Sequence, residues 1–187
     1  MTYYSKKNKQ KRVNKNFLSV NNSDIGAAPL KEGEKMTLTQ KETTLLSDLK
    51  SQEQLCIEKY GKYTDMAYDP ELKKLFTSLK SNEEKHLDTV NQMLNGTEVS
   101  MPDQSPSAVS SKLQCKPSEM SAEQKKNDAY LCKDALSMEK HVSGVYNTGI
   151  FEFTSPVMRD TLAHIQKEEQ NHGEQLYNYL SCNNMYC

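Results

Sequence analysis

One pattern occurs twice in this chain, 86 residues apart. Glu83-x-x-His86 recurs as Glu169-x-x-His172. The same shift carries Glu53 onto Glu139, Tyr60 onto Tyr146, Leu79 onto Ile165 and Asp69-Pro70 onto Ser155-Pro156. In each half the first glutamate stands 30 residues before the Glu-x-x-His. A chain repeated in this way is expected to fold as two related halves, and any fold assigned to it must place both copies equivalently.

The spacing of apolar residues says what each half contains. Leu46, Leu49, Cys56, Tyr60 and Tyr63 form one stripe, and Leu72, Phe76, Leu79, Leu87, Val90 and Leu94 a second. Cys132, Ala135, Val142 and Tyr146 form a third, and Met158, Leu162, Ile165, Leu176 and Leu180 a fourth. The period is near 3.6, that of an amphipathic helix and not of a strand. End signals agree. Thr39 with Glu42, and Ser121 with Gln124, read as capping boxes. Asp69-Pro70 and Ser155-Pro156 place an N-cap before a first-turn proline, and Asn95-Gly96 reads as a helix stop. Helices are therefore predicted from about Thr39 to Ala67, Pro70 to Leu94, Ser121 to Phe151 and Pro156 to Leu180.

Two short turns and one long linker join these four helices. The linker, about 96–120, is rich in Ser and Pro and reaches about 80 Å when extended, whereas the second helix is about 37 Å long. It can run the length of a bundle and set the third helix parallel to the second. The fold class is all-α: a four-helix bundle of two helical hairpins joined by a long crossover, the ferritin-like arrangement. The predicted organisation is a disordered basic N-terminal tail over 1–35, the bundle over 36–181 and a cysteine-containing tail over 182–187.

Composition narrows the rest. The chain of 187 residues is 35% hydrophobic, carries a net charge of −1 and has no Trp. No apolar run approaches the roughly 20 residues that span a membrane, so no membrane insertion is expected, and the start lacks the apolar core of a signal peptide. "KKNKQKRVNK" places six positive charges between Lys6 and Lys15. It reads as a solvated tail or an electrostatic tether; nucleic acid is not expected, because the remainder is acidic. Cys56 and Cys132 fall on apolar stripes and read as buried small hydrophobes. Cys115, Cys182 and Cys187 lie in polar sequence, as free thiols or as cross-links between chains.

The chemistry sits on the stripes. Glu53 lies between Leu49 and Cys56, and Glu139 between Ala135 and Val142. Glu83 and His86 are flanked at i±4 by Leu79 and Val90, and Glu169 and His172 by Ile165 and Leu176. Six ionisable side chains thus occupy core positions at mid-helix height, while Glu84 and Glu168 are expected to point elsewhere. A buried carboxylate costs several kcal/mol unless it is compensated. Two divalent ions would offset four such charges. One Glu from each of two helices plus Glu-x-x-His from each of the others is the di-iron and di-manganese ligand set, and these donors suit iron or manganese. The expected metal ligands are Glu53, Glu83, His86, Glu139, Glu169 and His172. A lone Glu-x-x-His is most often surface chemistry, and the alternative here is a hydrogen-bonded polar core without metal. Tyr60 and Tyr146, two turns after Glu53 and Glu139, read either as donors to the ligand carboxylates or as ordinary core tyrosines. His141 and His164 fall off the stripe and are expected to be exposed.

The chain also resembles spore coat proteins of the coat F type. The segments that carry the likeness are "LTQKE" (38–42), "SQEQLCIEKY" (51–60), "DPELKKLF" (69–76), "EEKHL" (83–87), "EKHVSGVYNTGIFEF" (139–153) and "HIQKEEQNHGE" (164–174). The resemblance implies a structural coat component made in the mother-cell cytoplasm, placed in the spore coat among other coat proteins and assembled as a homo-oligomer. A more distant likeness, through the six ligand positions, is to rubrerythrins, manganese catalases and ferritins. It implies a dinuclear iron or manganese oxidoreductase acting on peroxide or oxygen as the alternative function. No Cys-x-x-Cys of a rubrerythrin thiolate module is present, and His172 departs from the usual ferritin pattern.

Overall fold

The computed structural model describes residues 36–100 and 119–186. The basic stretch 1–35, most of the predicted linker and Cys187 lie outside the described residues. Four helices follow one another: α1 (Gln40–Met66), α2 (Pro70–Leu94), α3 (Ala122–Glu152) and α4 (Pro156–Cys182). The described residues thus form an all-α four-helix bundle, as the stripes predict.

The local signals work as expected. Both capping boxes form, Thr39 with Glu42 and Ser121 with Gln124. Asp69 and Ser155 cap α2 and α4 ahead of their prolines. Helix α2 ends at Asn95, and Gly96 turns into the left-handed region at φ 77°, which a residue without Cβ adopts freely. Its N–H donates to the carbonyl of Met93 at 2.9 Å, while that of Thr97 reaches Gln92 at 3.1 Å.

Helices α1 and α2 form one hairpin and α3 and α4 the other, and α1 packs on α3 and α2 on α4. Lys41 at the start of α1 pairs with Glu152 at the end of α3, and Asn127 donates to the carbonyl of Met66 at 3.1 Å, so α1 and α3 are antiparallel. Tyr179 reaches Asp69 at 2.9 Å, which sets α4 antiparallel to α2. Helices α2 and α3 therefore run parallel, so α2 ends and α3 begins at opposite ends of the bundle.

The core is continuous and aliphatic. Leu46, Leu49, Leu72, Phe76, Leu79, Leu131, Met158, Leu162 and Ile165 are fully buried, each stabilising the fold by roughly 1.5–3 kcal/mol. Leu87, Leu94 and Tyr63, predicted as core, are half-buried at its margin.

The repeat extends to the ends of the bundle through two acids. Glu42 accepts from the N–H of Thr154, 2.9 Å away in the α3–α4 turn. Its counterpart under the 86-residue shift is Asp128, which accepts from the N–H groups of Tyr68 and Asp69 in the α1–α2 turn at 2.8–3.2 Å. Each hairpin turn is thus held by an acid from the other hairpin. Burial works to raise the pKa of Glu42, but hydrogen bonds from the backbone of Thr154 and Thr39, and from both hydroxyls, hold it below the ordinary 4.5.

Asp128→Ala leaves two inward N–H groups without an acceptor and is expected to cost about 3 kcal/mol in urea unfolding. Glu42→Gln is expected to cost about 1 kcal/mol at pH 7. Because the folded pKa of Glu42 lies below its unfolded value, its contribution is present above that value and is lost as pH falls through the folded one. The gap between wild type and Glu42→Gln should therefore close on acidification; a gap that persists in acid would contradict this role.

Candidate metal centre

The repeat places one glutamate on each of α1 and α3 and a Glu-x-x-His on each of α2 and α4. All six side chains meet in the middle of the bundle, and none is more than 2% exposed. Spacing of i, i+3 puts Glu83 above His86 on one face of α2, and Glu169 above His172 on one face of α4. Two groups of potential donor atoms result, each within 4.8 Å of one another: Glu53, Glu83, His86 and Glu169, and Glu83, Glu139, Glu169 and His172. Glu83 and Glu169 belong to both. They are placed to bridge, with Glu53 and His86 closing one side and Glu139 and His172 the other.

The imidazoles present Nδ1 inward. His86 Nδ1 lies 3.0 Å from Glu83 Oε2 and 2.9 Å from Glu169 Oε1. His172 Nδ1 lies 2.9 Å from Glu83 Oε1. The two rings are 5.6 Å apart and nearly parallel. Despite this crowding, Glu53 Oε2, Glu83 Oε1, Glu139 Oε2, both oxygens of Glu169 and His172 Nδ1 make no aligned hydrogen bond among the described residues. Buried polar atoms are normally paired. Here the unpaired ones are the inward-facing atoms of the cluster. A polar core kept for its hydrogen bonds would satisfy them; a pair of cations at the centre would too.

The outward-facing atoms are held. Tyr60 of α1 donates to Glu139 of α3, and Tyr146 of α3 donates to Glu53 of α1. Of the two readings open for these tyrosines, the structure shows donors, each crossing to the other hairpin. His86 Nε2 donates to Glu168 Oε2 at 3.0 Å, and the Asn82 amide lies 3.3 Å from His172 Nε2. Glu168 therefore does not point elsewhere, as its neighbourhood in sequence suggested. It faces across to α2, and Asn82 occupies the matching place on α2 for α4. His164 is also corrected: it is half-buried, 3.7 Å from Glu168. His141 is exposed as expected.

Electrostatics divide the six. Burial, then the charges of Glu169 and Glu83, push Glu53 well above the ordinary carboxylate range. Burial and the proximity of Glu169 and Glu83 do the same to Glu139, against the pull of His172. Burial also opposes ionisation of Glu83 and Glu169, but both histidines lie against them and hold them below the ordinary value. Burial would lower both imidazoles; the surrounding carboxylates raise them instead, Glu168 first for His86 and Glu139 first for His172. These directions favour the protonated form of Glu53, Glu139 and both imidazoles and the ionised form of Glu83 and Glu169. Two divalent ions would balance four carboxylates and two neutral imidazoles, which is the donor set that iron and manganese accept. Cys56 and Cys132 are buried free thiols, and burial raises both above the ordinary thiol value, so they behave as small hydrophobes. Cys182 ends α4 and is disulfide-bonded.

Fold and site together define a ferritin-like bundle with a carboxylate–histidine centre. A crystal structure of a two-domain protein from Anabaena variabilis, containing DJ-1/ThiJ/PfpI-like and ferritin-like domains, is similar at a TM-score of 0.58 and 19% identity, over 81% of this chain and 40% of that one. At that identity the likeness speaks for the fold, and this chain spans less than half of that protein. More particularly, the family model of the Coat F domain matches residues 127–186, which cover most of α3, all of α4 and the turn after it. No curated protein matches the chain. No described helix is long and apolar enough to cross a membrane.

Tyr146→Phe removes the hydrogen bond at one Glu53 oxygen while the other already has none. The expected cost is about 2 kcal/mol, with Tyr60→Phe similar. Tyr63→Phe should cost less in the same urea titration, because its partner Asp134 also pairs with Lys59 at 2.6 Å. Equal costs at all three positions would mean that the inner pair does not hold the carboxylates.

Proposed function

We propose that this chain is a structural component of the spore coat whose bundle binds two divalent metal ions, iron or manganese. The Coat F match supports the coat assignment. The metal assignment is carried by one observation: two four-residue donor groups share Glu83 and Glu169, and their inward atoms lack hydrogen bonds. Glu53, Glu83, His86, Glu139, Glu169 and His172 are the proposed ligands. A coat location implies synthesis in the mother cell, other coat proteins as partners and assembly with further copies of the chain. The bundle at 36–181 is the working unit of this reading, with 1–35 and 182–187 as its tails.

A second reading, an oxidoreductase acting on peroxide or oxygen, is favoured by the histidine on each side of the shared glutamates. A redox pair of metal ions supplies or accepts two electrons toward one small oxidant. The chain's own residues would hold the ligands in place: Tyr60 and Tyr146 fix Glu139 and Glu53, and Glu168 fixes His86. Aliphatic residues above and below, Leu49, Leu79, Val142 and Ile165, keep bulk water away.

Plasma mass spectrometry of the native protein is expected to find about two iron or manganese ions per chain, lost in the Glu83→Ala, Glu169→Ala double variant. Loading should also release protons, because the metal takes carboxylates and neutral imidazoles while burial and the neighbouring charges favour the protonated forms of Glu53, Glu139 and both imidazoles, and metal affinity should fall as pH falls. An absence of metal after anaerobic loading with either ion would leave a polar core alone. For the coat assignment, fractionated spores of an endospore-forming host expressing the chain should yield it in the coat extract. Recovery in the spore core would sink that assignment.

A further inference from the structure

A cleft of about 430 Å³ opens between α3 and α4 and reaches the metal centre from one side. Its floor is formed by Glu139 and Glu169, and above them stand Lys140 and Ser143 on α3 and Gln170 and Gly173 on α4. Tyr177 and Tyr186 stack edge to face at 4.9 Å beside it. The chain after α4 folds back to put Tyr186 there, with Met185 buried beneath.

The internal repeat shows what made the cleft. Under the 86-residue shift Gly173 corresponds to Leu87, Ser143 to Ile57 and Lys140 to Gln54. The first hairpin carries bulky aliphatic residues where the second carries a glycine and a serine. Leu87 is half-buried. At Gly173 the space is open: an added Cβ would meet Leu136 Cδ1 at 3.5 Å and Glu139 Cβ at 4.0 Å, ordinary contact distances. Gly173 lines the cleft, so a larger side chain there would take up part of its space. Lys140 is exposed and gives the opening a positive charge.

We propose that this cleft is the entry path and outer binding site for a small anionic or hydrogen-bonding ligand of the metal pair, of the size of azide or peroxide. The ligand enters past Lys140, Ser143 and Gln170 and arrives beside Glu139 and Glu169, on the side of the pair closed by His172. At the equivalent positions of the first hairpin stand Ile57 and Leu87, bulkier side chains than Ser143 and Gly173. This assignment rests on the dinuclear reading above and adds to it a direction of approach.

The test is stopped-flow azide binding to iron-loaded, air-oxidised full-length protein, read by the azide-to-iron absorption band, with metal content measured on each sample. Gly173→Val is expected to keep its metal and bind azide at least about tenfold more slowly, since the valine fills the narrow part of the path. Gly144→Val is the control: nothing lies within 4 Å of a Cβ there, and its rate should match wild type. Lys140→Glu should slow azide severalfold at low ionic strength and recover in high salt. Lys126→Glu, of equal charge but about 21 Å away along α3, should have little effect. Metal-replete Gly173→Val binding azide at the wild-type rate would overturn the assignment. If that variant loses metal, an unchanged low-salt rate in Lys140→Glu overturns it instead. A wild-type protein that takes up no metal would refute the dinuclear reading itself, a result distinct from both.

Discussion

Four carboxyl groups and two imidazoles sit in the dry middle of this bundle, and the rest of the molecule is arranged around their cost. Moving an ionised group out of water costs several kcal/mol unless partners replace the lost hydration. The chain meets that cost in three ways. It distributes the groups over four helices, so that acids and imidazoles approach from different sides. Burial and neighbouring charge favour the neutral form of Glu53 and Glu139, and the imidazoles lie against the other two carboxyls. It also supplies outward hydrogen bonds from Tyr60 and Tyr146. What it leaves unpaired is confined to the centre of the cluster, where a cation is the natural complement.

The supporting contacts share one geometry: each crosses from one hairpin to the other. Tyr60 holds Glu139 while Tyr146 holds Glu53. Glu168 meets His86 while Asn82 meets His172. Asp128 holds the α1–α2 turn while Glu42 holds the α3–α4 turn. These pairs follow the repeat, but the repeat is not perfect. A carboxylate faces one histidine and an amide the other. A carboxylate raises the basicity of the imidazole it contacts more than an amide does, so the two halves of the centre are chemically unequal. Where the first half has Leu87 the second has Gly173, which lines a cleft.

Much of this was legible in the sequence, for local reasons. Capping boxes, first-turn prolines and Asn95-Gly96 act within a few residues, so the helix ends follow from short stretches. The six cluster residues could be found because their spacing ties them to apolar neighbours at i±4, which fixes the face they share. Glu168 was misread because it stands next to Glu169. On a helix that is a rotation of about 100°, which here points at a neighbouring helix and not at solvent. The tertiary role of Glu42 was hidden behind its capping box, and Asp128 had no signal of its own. A carboxylate that accepts from the backbone of a distant turn leaves no local pattern. The shift that pairs Glu42 with Asp128 was nevertheless present and could have marked them both. So could the exchange of Leu87 for Gly173, since a break in a repeat is visible wherever the repeat is.

The crossed contacts also bear on how such a chain could come to exist. A single hairpin carries a tyrosine whose carboxylate partner lies elsewhere, and a turn whose acceptor it lacks. It could satisfy all of these at once against a second copy of itself, turned about a twofold axis. The molecule is in this sense a symmetric dimer written into one polypeptide. In one polypeptide the two copies need not match, so one wall can carry a leucine where the opposite wall carries a glycine.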